Sequence, residues 1–304
     1  MSKTASAIII IPVYEDYDSI QLLLKKISEL KKQYYLVLVD DGSEKNPLNI
    51  NLLKDVGLDG EILKLSINIG SQNAVYEGIK YVANLNKNLP LIIMDGDGED
   101  NPNFIQKLLD KLHEDKAEIC VALRGERHDK NLFKVLYILY KILFRVLTGI
   151  SLKFGNFIAI DPKSISKVAA IKSSKVHLAA SILHSKFKLS NLVLSRSKRL
   201  AGASKMNINK LIIHGMFALS IFSDLIYIRL IIFAGIIMTI NILYIILSFL
   251  FYKNIPIATI SENSLIVLNG SIIMMSIFLN SILNYGNLKI INNDRIYSYE
   301  IIKK

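Results

Sequence analysis

Apolar residues follow two rhythms along this chain. Over the first 125 residues, short apolar runs alternate with stretches patterned at helical spacing, and after residue 130 the apolar segments lengthen. The runs 6–13, 34–40, 61–65, 89–94 and 118–123 predict buried strands. Segments 19–32, 71–84 and 102–114 predict helices, the last with Pro102 in its first turn and Asp100 or Asn101 as its cap, Asp100 favoured. Continuous apolar strands separated by helices predict an α/β domain, an open and mostly parallel sheet with helices on both faces. Ligands of such sheets bind beyond the carboxyl ends of the strands.

The second rhythm points to a membrane. Residues 131–148, NLFKVLYILYKILFRVLT, set Lys134, Lys141 and Arg145 in one narrow stripe on an otherwise apolar helix. That pattern suits the bilayer interface, cations at headgroup level, although a core helix with one wet edge shares it. Residues 205–228 repeat the theme, and the lone His214 within them reads as a packed or interfacial histidine. From Leu230 to Tyr252 there is no charge, and the stretch is long enough for about 30 Å of hydrocarbon. A second uncharged stretch, 265–283, is interrupted by Asn269 and Asn280. The expected organisation is a catalytic domain over 1–228, a two-helix transmembrane hairpin over 229–288 and a tail over 289–304. Arg229, Lys289, Arg295, Lys303 and Lys304 place both ends in the cytoplasm, with a bacterial inner membrane as the expected location.

Charge narrows the partners. Lys and Arg outnumber Asp and Glu by 37 to 26, which favours an anionic partner such as nucleotide phosphates or an acidic lipid surface. The single cysteine, Cys120, can form no internal disulfide and fits a reducing compartment. The apolar run Ala7–Val13 is short and leads into Glu15 and Asp16, so it is not read as a signal peptide.

Three polar clusters fall at strand ends: PVYED (12–16), DDGS (40–43) and DGDGED (95–100). Four acids within six positions repel one another unless a cation gathers them. Oxygen ligands of this kind suit Mg²⁺ or Mn²⁺, and Gly96 and Gly98 permit the turn that points Asp95 and Asp97 to a common ion. Such loops also occur as solvated turns, but three at one sheet edge describe a site. MDGDG also fits the DxDG of aspartate-nucleophile phosphatases, a reading that leaves PVYED and DDGS unexplained.

The order PVYED, VDDGS, NIGSQNAVYEGIKYV, MDGDGEDNP resembles a family 2 glycosyltransferase of GT-A fold. Within that family it is most similar to the polyprenyl-phosphate sugar transferases, such as dolichyl-phosphate mannose synthases and bactoprenol glycosyltransferases. The resemblance implies that Pro12, Tyr14, Glu15 and Asp41, with Asp40 alongside, border the base and ribose of a UDP- or GDP-sugar. It implies that Asp95 and Asp97 flank the diphosphate and metal, with Glu99 as a further ligand.

A basic segment, SRSKRLAGASKMN, carries Arg196, Lys198, Arg199 and Lys205, and RGER carries Arg124 and Arg127. By resemblance, Arg124, Arg127, Arg199 and Lys205 act with Asp97 in catalysis and hold a lipid phosphate against the sugar. Where several relatives have an Asp, this chain has Asn156, which cannot act as a base. A phosphate monoester is largely dianionic near neutral pH and needs none, whereas a sugar hydroxyl does. The expected activity is therefore inverting, metal-dependent transfer from a nucleotide-sugar to an undecaprenyl-type phosphate, without nucleic acid and with homo-oligomers open. A glycan acceptor, or an inactive subunit that binds nucleotide or lipid, are the alternatives. Processive synthases usually carry a QxxRW motif, and this chain has no tryptophan.

Overall fold

The computed structural model describes residues 5–124, 131–202, 208–251, scattered positions between 266 and 284, and 298–303. An eight-stranded sheet runs in the order β7-β5-β6-β4-β1-β2-β3-β8. Its strands are β1 (Ile8–Val13), β2 (Tyr35–Asp40), β3 (Asp59–Leu65), β4 (Leu91–Ile93), β5 (Ile119–Arg124), β6 (Phe154–Ile160), β7 (Leu189–Leu194) and β8 (Tyr299–Lys303). β6 and β8 run antiparallel to their neighbours and the remaining pairs are parallel.

Strand periodicity sorts the core into two layers. Ile9, Ile11 and Val13 of β1 join one cluster, with Ile20, Leu23 and Leu24 of α1 (Tyr17–Ser28) and Ile105 and Leu108 of α4 (Ile105–Glu114). Ile8 and Ile10 face the other way, onto Ala74, Val75 and Ile79 of α3 (Ser71–Asn84), and further along that layer lie α6 (Pro162–Ala169) and α7 (Leu178–His184). Burial on both faces is why β1, β2, β4 and β5 read as apolar runs. The short α2 (Asn51–Lys54) lies between β2 and β3.

A third cluster sits apart from the sheet. Phe144 of α5 (Asn131–Thr148) meets Ala180 of α7, Ala218 and Leu219 of α8 (Ile208–Ser220), and Phe222 and Ile226 at the start of α9 (Ser223–Phe251). Outside it, Leu139, Ile142 and Val146 of α5 and Ile228, Ile231 and Ile232 of α9 are exposed.

Several expectations are revised. The helix expected over 205–228 is two helices, and α9 passes through Arg229 unbroken, so 228/229 is not a boundary between elements. Residues 299–303 of the expected tail form the edge strand β8 on β3. Within α9 the stretch Ser223–Ile240 is long and apolar enough to cross a membrane, while the second expected span, 265–283, lies mostly outside the described residues. Asn101, not Asp100, caps the turn at Pro102, its side chain accepting from the Asn103 N–H at 3.0 Å.

Candidate active site

The three polar clusters meet at the carboxyl edge of β1, β2 and β4. Pro12 and Val13 pair with Val39 and Asp40, and the Asp41 N–H donates to the Val13 carbonyl at 2.8 Å, so the first two clusters are locked side by side. Tyr14 is largely exposed at the end of β1. Glu15, held at a left-handed φ of 48°, accepts from the Glu44 and Lys45 N–H groups at 2.7 and 2.9 Å. Those two donors hold its carboxyl below its ordinary pKa.

Asp40 and Asp41 are both buried. Asp40 accepts from the Ser43 and Leu48 N–H groups at 3.0 and 2.9 Å, so it shapes its own loop. Asp41 accepts from the Ile69 and Gly70 N–H groups at 2.8 and 3.0 Å, which ties the β2 loop to the start of α3. Burial pushes Asp41 up to about 6 against the pull of those two donors. Gly42 is required here: at φ +70°, an added Cβ would lie 2.5 Å from the Ile67 carbonyl carbon.

The acidic loop after β4 is closed from within and spanned from without. Asp100 accepts from the Asp95 N–H at 3.0 Å, and Asp97 from the Glu99 N–H at 3.0 Å. Segment 195–202 lies across this loop, with the Ser197 and Leu200 N–H groups donating to the Glu99 and Asp97 carbonyls at 2.9 and 3.0 Å. Its cations pair with the acids. Arg196 bonds Glu99, while Arg199 reaches Asp97 at 3.0 Å with one nitrogen and Asp16 with the other. Burial and then the neighbouring Asp95 raise the Asp97 carboxyl above its ordinary value. A small cleft opens beside this contact, lined by Glu99, Asn101, Leu123, Gly155, Phe157 and Arg196.

The acids do not converge as the three-ligand set expected from sequence. Asp95 turns to Asn156, Asp97 to Arg199 and Glu99 to Arg196. Among the described residues no group of three His, Cys, Asp or Glu side chains could hold a metal. Asp95 and Asp97 still fit a divalent ion of the kind held by one or two carboxylates plus substrate phosphates. Arg127 and Lys205 lie outside the described residues, as does the side chain of Arg124, whose backbone ends β5. The sequence assigned no role to Asp16 or Gln72 and treated Asn156 only as a missing base. Asp16 was legible as part of PVYED and Gln72 as part of NIGSQNAVYEGIKYV, but neither motif, nor the missing base at Asn156, announced the contacts these side chains make.

The sheet is open and mostly parallel and presents an aspartate pair at its carboxyl edge, spanned by arginines. The chain belongs to glycosyl transferase family 2, whose profile matches residues 8–173. It is 27% identical over 251 residues to the uncharacterized glycosyltransferase YkcC of Bacillus subtilis (strain 168), covering 79% of this chain and 75% of that one. It is 29% identical over 150 residues to the undecaprenyl-phosphate 4-deoxy-4-formamido-L-arabinose transferase of Shewanella sediminis. That alignment covers 47% of this chain and 44% of the relative. The fold is shared with glucosyl-3-phosphoglycerate synthase from Mycobacterium tuberculosis, solved with Mn²⁺ and UDP-glucose, at a TM-score of 0.50 and 12% identity over 74% of this chain and 79% of that one.

Proposed function

We propose that this glycosyltransferase moves a sugar from a nucleoside-diphosphate sugar to a polyprenyl phosphate at a membrane surface. The observation that carries it is the contact between the acidic loop and segment 195–202, where Arg199 bridges Asp97 and Asp16. That contact puts guanidinium groups, which suit phosphate through paired donors, beside the carboxylates suited to a diphosphate-bound ion. The exposed apolar faces of α5 and α9 on the same molecule fit an acceptor that lives in lipid. The Shewanella sediminis relative, named an undecaprenyl-phosphate sugar transferase, supports the same acceptor class.

The chemistry is a single displacement. An acceptor phosphate oxygen attacks the anomeric carbon, the bond from that carbon to the nucleoside diphosphate breaks, and configuration inverts. A dianionic phosphate needs no proton removed, which agrees with an amide at Asn156. Tyr14, Glu15 and Asp41 line the nucleotide side, and Asp95 and Asp97 hold the diphosphate end. A divalent ion on Asp95 and Asp97 would neutralise charge gathering on the departing diphosphate. Arg199, with Arg124, Arg127 and Lys205, holds the acceptor phosphate.

The test is transfer of label into extractable lipid. Purified protein is incubated with undecaprenyl phosphate, Mn²⁺ or Mg²⁺, and a panel of labelled UDP- and GDP-sugars. One donor is expected to give a labelled lipid, with the signal lost on chelation and reduced at least about 100-fold in Asp97→Ala. Bound nucleotide with no labelled lipid from any donor would overturn the proposal.

A further inference from the structure

A line of hydrogen bonds leaves the acidic loop and runs inward through two amides. The Asn156 Nδ2 group donates to Asp95 Oδ1 at 3.2 Å. Gln72 Nε2 donates to Asn156 Oδ1 at 3.1 Å, and the Leu178 N–H donates to Gln72 Oε1 at 2.7 Å. The direction of every bond in this line is fixed by its two ends. A backbone N–H can only donate, so Gln72 must offer Leu178 its oxygen and Asn156 its nitrogen. An ionised carboxylate can only accept, so Asn156 must turn its own nitrogen to Asp95. Neither amide can flip without setting two like groups face to face.

Sheet geometry puts the pieces in place. In the antiparallel pair, Ile93 of β4 faces Ile158 of β6. Continuing that register two residues past the end of β4 sets Asn156 opposite Asp95, where side chains share a face. Gln72 sits in the first turn of α3, whose start is held by Asp41 through Gly70. Leu178 begins α7 beside His177, whose ring stacks on His214 of α8 at 4.3 Å. The acid at the site edge is thereby oriented from the buried interior by elements outside its own loop.

We propose that Asn156 and Gln72 are positioning residues that hold the Asp95 carboxylate in the orientation the nucleotide-sugar requires. The proposal rests on the reading of Asp95 as a donor-site ligand. It also gives Asn156 a purpose different from that of a lost base. An amide donates to Asp95 where a carboxylate would repel it, so this position steers one acid and adds no further negative charge. Partners that orient a ligand group commonly change affinity about tenfold or more when removed.

The test is a double-mutant cycle through Asp95, read by calorimetric titration of the full-length chain with UDP and, separately, GDP in the presence of Mn²⁺. Asn156→Ala and Gln72→Met are each expected to weaken binding of the nucleotide that binds by about tenfold. In the Asp95→Ala background the same substitutions are expected to change affinity less than about twofold, because their effect passes through the missing carboxylate. Asn156→Ala removes a partly buried side chain and decides the matter if Gln72→Met does not fold. No weakening in the native background, or equal weakening with and without Asp95, would overturn the relay. A native chain that binds neither nucleotide with Mn²⁺ would overturn the reading of the acid pair, and the relay with it.

Discussion

Asp40 and Asp41 are adjacent, alike and buried, yet their partners give them different tasks. Asp40 folds back on its own loop, whereas Asp41 reaches across to the Ile69 and Gly70 N–H groups. The letters DDGS announced a site but could not divide these roles, because the division depends on which backbone donors the fold delivers. The same limit explains Asp100, which reads as a helix cap and instead closes the acidic loop by accepting from the Asp95 N–H. Asp41 makes a sharp prediction at this scale. Its folded pKa of about 6 lies above its ordinary 3.8, so the native state binds the proton more tightly than the unfolded chain. Stability from this group is present below about pH 4 and lost as pH rises through about 6. Asp41→Asn has no such titration. The native protein is expected to lose on the order of 2–3 kcal/mol relative to Asp41→Asn between about pH 4 and pH 7. Thermal midpoints of the two proteins across that range test it, and a gap that stays constant would contradict it.

Elements were legible to the extent that their burial was uniform. β1, β2, β4 and β5 are covered on both faces and stand out as apolar runs, and α3 and α4 carry clear helical spacing. β6 was missed because it opens on Phe-Gly-Asn, where Gly155 and Asn156 break the pattern at the place where the strand meets the site. β7 and β8 lie on the sheet's edges, and a half-exposed LSNLVL or a five-residue YEIIK carries little signal. Segment 195–202 was readable as cationic but not as a strap over the acidic loop, since its hydrogen bonds go to backbone carbonyls near Gly98. That glycine has φ +79°, and an added Cβ would lie 2.4 Å from Leu200, so loop and strap fit only with glycine there. Arg199 fastens the strap. Arg199→Ala leaves Asp16 and Asp97 without their shared cation and forfeits charge-assisted bonds of about 1.5–3 kcal/mol. Because Arg199 is also proposed to hold the acceptor phosphate, kcat/KM is expected to fall roughly 10- to 100-fold in the same variant. Arg199→Lys keeps the charge but not the fork that reaches both acids, and is expected to fall between the two. Steady-state kinetics with a fixed donor would contradict this role if Arg199→Ala retained native kcat/KM.

At the scale of the whole molecule, the apolar second half was readable in outline, but β8 was not foreseen. Pairing of Tyr299–Lys303 with β3 brings the chain back to the catalytic sheet after α9 has left it. That return accords with the proposed pair of crossings, one by α9 and one by the uncharged stretch 265–283. Native Cys120 is fully buried, so introduced cysteines report cleanly. An impermeant maleimide is expected to label Ser261→Cys on intact cells and Ser298→Cys only after permeabilisation. Labelling of Ser261→Cys only after permeabilisation would contradict a crossing by α9.

Catalytic sheet, arginine strap and exposed apolar helices together support the proposal that the acceptor is a phosphate-headed lipid. The most direct measurement compares acceptors with the active donor in hand: undecaprenyl phosphate, undecaprenol and a soluble phosphate monoester at equal concentration, followed by lipid extraction and counting. Sugar is expected on undecaprenyl phosphate and on neither of the others, because one lacks the dianionic nucleophile and the other lacks the tail. Equal transfer to undecaprenol, or preference for the soluble monoester, would contradict a lipid-phosphate acceptor.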